Sequence, residues 1–219
     1  VKHFVFDLVA LIRTHSERWI RTLLILAAII GLASFSAAAI DFPGNRIVER
    51  LSGLTSVRSL ATWLTAIVLL GIGLMALLAA FLDAARKNVW NLLAIASVLL
   101  SAEEVVGLHE MGEVSAALPT DRPPSLAWLL AAVAIAALIL AALTPFLRSL
   151  PRATAVRFVV AGSLISAGTI GLQFLGELVE IARGTGSIEH IAIHNLEELS
   201  ELVGMIVLLG AVTRHIGSS

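Results

Sequence analysis

Apolar residues gather in six long stretches along this chain, at about 21–40, 61–82, 89–106, 126–147, 158–178 and 199–212. A helix rises about 1.5 Å per residue, so roughly 20 such residues cross the ~30 Å hydrocarbon layer of a bilayer. Residues 3–20 differ: apolar positions alternate with Arg13, Glu17 and Arg18, the pattern of a helix lying at a membrane surface. The first apolar stretch is too long, and the charged region before it too extended, for a cleaved leader, so it reads as a retained span. Asp41–Leu60 reads as a loop opened by Pro43-Gly44-Asn45, with a short amphipathic piece at Ile47–Leu54. The last stretch is short for a crossing, which predicts a helix that begins near residue 188. Small residues spaced by four, as at Ser163, Ala167 and Gly171, predict a close approach of helix backbones. The expected fold is an all-α integral membrane bundle of six transmembrane helices, preceded by an N-terminal interfacial helix, in one domain spanning residues 1–219.

Composition strengthens this reading. Hydrophobic residues make up 58% of the chain and charged residues only 14%, with a mean hydropathy of +0.95, far beyond what a soluble domain needs. Trp19, Trp63, Trp90 and Trp128 each stand near the start of an apolar run, as interfacial anchors do. The absence of Cys removes disulfides, thiolate metal ligands and thiol redox chemistry together. Lys and Arg then orient the chain. With both termini cytoplasmic, ten of them fall on the inner side (Lys2, Arg13, Arg18, Arg21, Arg86, Lys87, Arg148, Arg152, Arg157 and Arg214) against five on the outer side. The expected location is a bacterial inner membrane.

The acids obey a different pattern. Ten of the twelve Glu lie in two stretches, Glu103–Glu113 and Glu177–Glu201, where Arg183 is the sole basic neighbour in sequence. In the topology above, both stretches meet at the extracytoplasmic face. Carboxylates crowded there must be protonated, solvated or neutralised by a cation. Glu103 lies 13 residues beyond Trp90, and Glu201 lies 13 residues before Arg214, so both reach roughly 20 Å into the bilayer and share a layer. His109, Glu110, Glu177, Glu180 and His194 form an outer, wetter tier.

In the segment HIAIHNLEELSE, His190, His194, Glu197 and Glu201 occupy one helix face. Two imidazoles one turn apart can reach a single ion, with carboxylates alongside as hard oxygen ligands. The zinc-protease motif is absent, because Ile191 stands where its Glu would be. The bland alternative for the outer members is a solvated helix end, capped by Ser187 with Glu189 in its first turn. Residues 101–110, SAEEVVGLHE, resemble a motif of bacterial multi-pass membrane proteins in which an acidic pair is followed after four residues by His-Glu. Glu103, Glu104, His109 and Glu110 match it, and that family brings no established activity.

These features lead to the expectation of a divalent-metal site, zinc or iron, with one or two ions held by Glu103, His109, Glu110, Glu177, Glu180, His190, His194, Glu197 and Glu201. A catalytic form would be a metal-dependent membrane enzyme acting on a lipid-like substrate. The alternatives are a proton or cation transporter using the same groups as a relay, and a non-catalytic subunit of a larger membrane complex. The expected partners are the lipid bilayer and either a lipid-like substrate or other membrane subunits, with no nucleic acid.

Overall fold

The computed structural model describes residues 2–40, 59–106, 126–184 and 187–218, and within them the chain is helical throughout. Six helices follow one another: α1 (Lys2–Ile40), α2 (Leu60–Leu82), α3 (Lys87–Val106), α4 (Leu126–Ser149), α5 (Arg152–Arg183) and α6 (Ile188–Ser218). Five contain segments long and apolar enough to cross a membrane: Phe6–Ser36, Leu60–Leu82, Ala84–Val106, Leu129–Ser149 and Arg152–Arg183. The sixth expected crossing falls within α6, which is not among those five. Instead α6 is the central helix, packed against α1, α2 and the whole length of α5, while α3 packs chiefly on α2.

Three departures from the sequence expectations have physical causes. The surface helix and the first span are one continuous helix, because no Gly or Pro interrupts residues 2–30. Helix α5 carries a π-helical segment at Ala167–Leu172 between its α-helical parts Arg152–Ser166 and Gln173–Arg183. Finally, Ser163, Ala167 and Gly171 are exposed and do not form the packing row. The close approach of α5 to α6 runs through the neighbouring face. A Cβ on Gly168 would lie 2.7 Å from Glu201 Cγ, and one on Gly204 would lie 2.7 Å from Ile165 Cγ1 and 3.1 Å from the Ala161 carbonyl oxygen. The amphipathic piece at Ile47–Leu54 and the glycines Gly107 and Gly112 lie outside the described residues.

The buried core is dominated by small and aliphatic side chains. One cluster gathers Ala27, Val68, Leu69, Ile72, Leu202 and Ile206 at mid-height; another surrounds Trp90 with Ile12, Phe146, Val212 and Ile216. Large apolar residues point outward, including Phe81 at 83% and Leu138 at 70% exposure. Such an apolar exterior suits hydrocarbon as the surrounding medium.

The two ends of the bundle differ in charge. At one end Asp83, in the turn between α2 and α3, collects three hydrogen bonds on one carboxylate oxygen. Arg86 Nη1 donates at 2.6 Å, Trp90 Nε1 at 3.1 Å and His215 Nε2 at 3.1 Å. Arg86 also donates to the Ser149 hydroxyl and carbonyl, at 2.8 and 2.6 Å, so one knot ties α3 to the ends of α4 and α6. Arg13 and Gly217 meet at this same basic end. The opposite end holds Glu104, Glu177, Glu197, Glu198 and Glu201.

Candidate functional site

Helix α6 starts with a side-chain cap: the His190 backbone N–H donates to Ser187 Oγ at 3.2 Å. Glu189, in the first turn, pairs with Arg183 across the α5–α6 connection. Arg183, the basic residue nearest the acids in sequence, is therefore engaged at the exposed rim. The two imidazoles that follow are arranged in a tilted stack, 6.2 Å between centroids, yet they serve different partners. His190 Nδ1 donates to the Gly176 carbonyl at 3.2 Å, locking α6 to α5. His194 Nδ1 donates to Glu197 Oε2, also at 3.2 Å.

One turn deeper, the π segment of α5 takes part. Thr169 Oγ1 is 2.9 Å from both the Ile165 carbonyl oxygen and Glu201 Oε1, so its hydroxyl can serve either acceptor. Gly168 makes that reach possible, since its missing side chain lets the backbone of α5 close on Glu201 and on the Glu197 carbonyl. π-helical segments within α-helices are frequent at functional sites. On the side of α6 facing α1, the buried Asn195 accepts a hydrogen bond from Ser34 Oγ at 2.8 Å.

The carboxylates form a connected electrostatic group. Glu177 interacts with Glu180 and Glu197. Glu201 interacts with Glu197, Glu104 and His194, and Glu198 with Glu201, His194, Glu104 and Glu197. Three helices, α3, α5 and α6, thus each contribute acids to one seam, and all of these acids are partly buried.

Among the residues expected to act together, His194 is hydrogen-bonded to Glu197, Glu201 and Glu177 lie within electrostatic reach of Glu197, and Glu180 lies within reach of Glu177. His190 sits above them with its Nδ1 committed to the backbone. Glu103 is half-buried on α3, and its neighbour Glu104 interacts with Glu198 and Glu201. His109 and Glu110 lie outside the described residues. Glu198 counts among the acids but stands outside the expected ligand set, and Thr169 and the Ser34–Asn195 bond were not foreseen. Glu198 adjoins the stripe in sequence, whereas nothing in the sequence marked the π turn that delivers Thr169. Among the described residues, no group of three or more His, Asp or Glu side chains has an arrangement ready to hold a metal ion.

Residues 22–216 match the model of a family described as a domain of unknown function (DUF8692). No curated protein and no solved structure matches the chain.

Proposed function

The chain belongs to this family, DUF8692, whose description carries no activity, and we propose from its geometry that it is a polytopic membrane protein whose acidic seam binds a divalent cation. The observation that carries this reading is that Glu104, Glu197, Glu198 and Glu201 lie within electrostatic reach of one another, with His194 hydrogen-bonded to Glu197 and Thr169 to Glu201. Like charges in so poor a solvent repel strongly, and a bound cation relieves the repulsion without requiring every carboxyl to be protonated. Ligation would require these side chains to close around the ion. The donors are carboxylate oxygens with a single imidazole, a set that suits zinc or iron. Held by Glu104, Glu197, Glu198, Glu201 and His194, such an ion would supply Lewis acidity, the chemistry on which a metal-dependent membrane enzyme acting on a lipid-like substrate would rely.

A transport path is less well supported. Below Glu201, Leu202 and Ile206 of α6 pack against Val68, Leu69 and Ile72, an apolar layer that offers little to relay an ion.

Metal analysis tests the proposal. The purified full-length chain, incubated with Zn²⁺ or Fe²⁺ and freed of excess, is expected to retain metal in stoichiometric amount. Glu201→Gln and Glu104→Gln should each weaken retention by roughly tenfold or more, while Arg183→Gln leaves it unchanged. Absence of stoichiometric metal, or retention unaffected by either Glu substitution in helical protein, overturns it.

A further inference from the structure

At the end of the bundle opposite the acids, a cavity of 510 Å³ opens between α1, α5 and α6. Four arginines line it, Arg13 and Arg21 from α1, Arg157 from α5 and Arg214 from α6, together with Glu17 and the buried Ser16. Glu17 is the one carboxylate among these lining residues. Its contacts are long, 3.8 Å to Arg21 and 3.7 Å to Arg214. A simple bias of Lys and Arg toward one membrane face requires only that the charges lie near that face, spread apart. Here guanidinium groups from three helices converge on one cavity, where their mutual repulsion is offset by a single carboxylate. The volume falls within the range of ordinary small-ligand pockets, and planar guanidinium groups match phosphate oxygens two at a time.

We propose that this cavity binds a phosphate-bearing anion, the headgroup of an anionic phospholipid. The position agrees with a lipid source. The cavity lies where the arginines gather, Trp19 stands 42% exposed on the same stretch of α1, and the outward faces above it are apolar. Arg157 and Arg214 grip the phosphate from the neighbouring helices α5 and α6, and Glu17 tunes the affinity downward. The lipid source rests on the membrane reading of the fold; the anion site itself does not, nor does it depend on the acidic seam.

The test is native mass spectrometry of the full chain titrated with phosphatidylglycerol, phosphatidylcholine or inorganic phosphate. Phosphatidylglycerol should bind roughly tenfold more tightly than phosphatidylcholine, and the Arg157→Gln/Arg214→Gln double variant should lose roughly that factor. Arg152→Gln, outside the cavity, should not. Glu17→Gln should bind phosphatidylglycerol more tightly than the parent, a gain that misfolding cannot produce. Inorganic phosphate binding as tightly as phosphatidylglycerol upholds the site and assigns its ligand to soluble phosphates; lipid binding without phosphate binding upholds it with a membrane ligand. Equal binding of the two lipids, or no response to Glu17→Gln and to the double variant, overturns the proposal.

Discussion

A single missing side chain decides how α5 and α6 meet. At Gly168 an added methyl would meet Glu201 Cγ at 2.7 Å and the Glu197 carbonyl oxygen at 3.0 Å, whereas at Gly162, on the same helix, nothing lies within 4 Å. The backbone oxygen cannot move without shifting α6, so Gly168→Ala should destabilise the fold by about 1–3 kcal/mol, the usual cost of overpacking. Gly162→Ala gains helix propensity at no steric cost and should stabilise by about 0.5–1 kcal/mol. Unfolding midpoints of the two variants in one detergent make the comparison, and equal midpoints would show that the α5–α6 contact is looser than described. Because Gly168 also admits Thr169 to Glu201, the Gly168→Ala variant should lose cation retention as well, and Gly162→Ala should keep it.

Between elements, the strongest polar tie is the Asp83 knot. Burial alone would push the Asp83 carboxyl up, but hydrogen bonds from Arg86, Trp90 and His215 and the Arg86 charge outweigh it and hold Asp83 below its ordinary 3.8. Burial pushes His215 below its ordinary 6.5, against the opposing pull of Asp83. His215 is therefore neutral in the fold, with Nε2 donating to the carboxylate and the ring stacked on Trp90 at 4.8 Å. Below pH 6.5 the unfolded chain takes up a proton at residue 215 that the folded chain refuses, so stability falls with pH from that point down through the folded pKa of His215. Asp83 adds a second loss only at more acidic pH, as pH drops through its own lowered value. His215→Gln keeps an N–H for Asp83 and removes the titration, so its unfolding midpoint should change less between pH 7.5 and 5.5 than the parent's. The same pH response in both proteins would refute the assignment. Neither this knot nor the π turn was legible in the sequence. Asp83 and His215 are 132 positions apart, and helical periodicity gives the angles between residues of one helix but not the rotation of that helix toward its neighbours. The same gap kept the interaction of Glu104 with Glu198 and Glu201 out of sight. Helix lengths, the charge difference between the two ends and the shared face of His194, Glu197 and Glu201 were legible, because each depends on spacing within one segment.

Across the whole molecule, alternation of helix direction separates the basic and acidic ends, and the orientation proposed from the arginine bias puts the basic one in the cytoplasm. Helix α5 offers the cleanest test of that assignment. Ala153 and Ala182 are both exposed near its two ends, about 43 Å apart at 1.5 Å per residue, which exceeds the ~30 Å hydrocarbon layer. The chain contains no Cys, so Ala153→Cys and Ala182→Cys each introduce the sole thiol. In intact cells an impermeant maleimide should label Ala182→Cys, and Ala153→Cys should react only after the membrane is opened. The reverse pattern would place the acidic seam on the cytoplasmic side and invert the site's access. Labelling of both thiols from one side would mean that α5 does not cross, and the apolar exterior of the bundle would then need a protein partner rather than lipid to cover it. The expected asymmetry puts the acidic seam within reach of cations outside the cell and the arginine cavity beside the anionic lipids of the inner leaflet. In the proposed orientation one antiparallel bundle would present opposite electrostatic sites to opposite faces of the membrane.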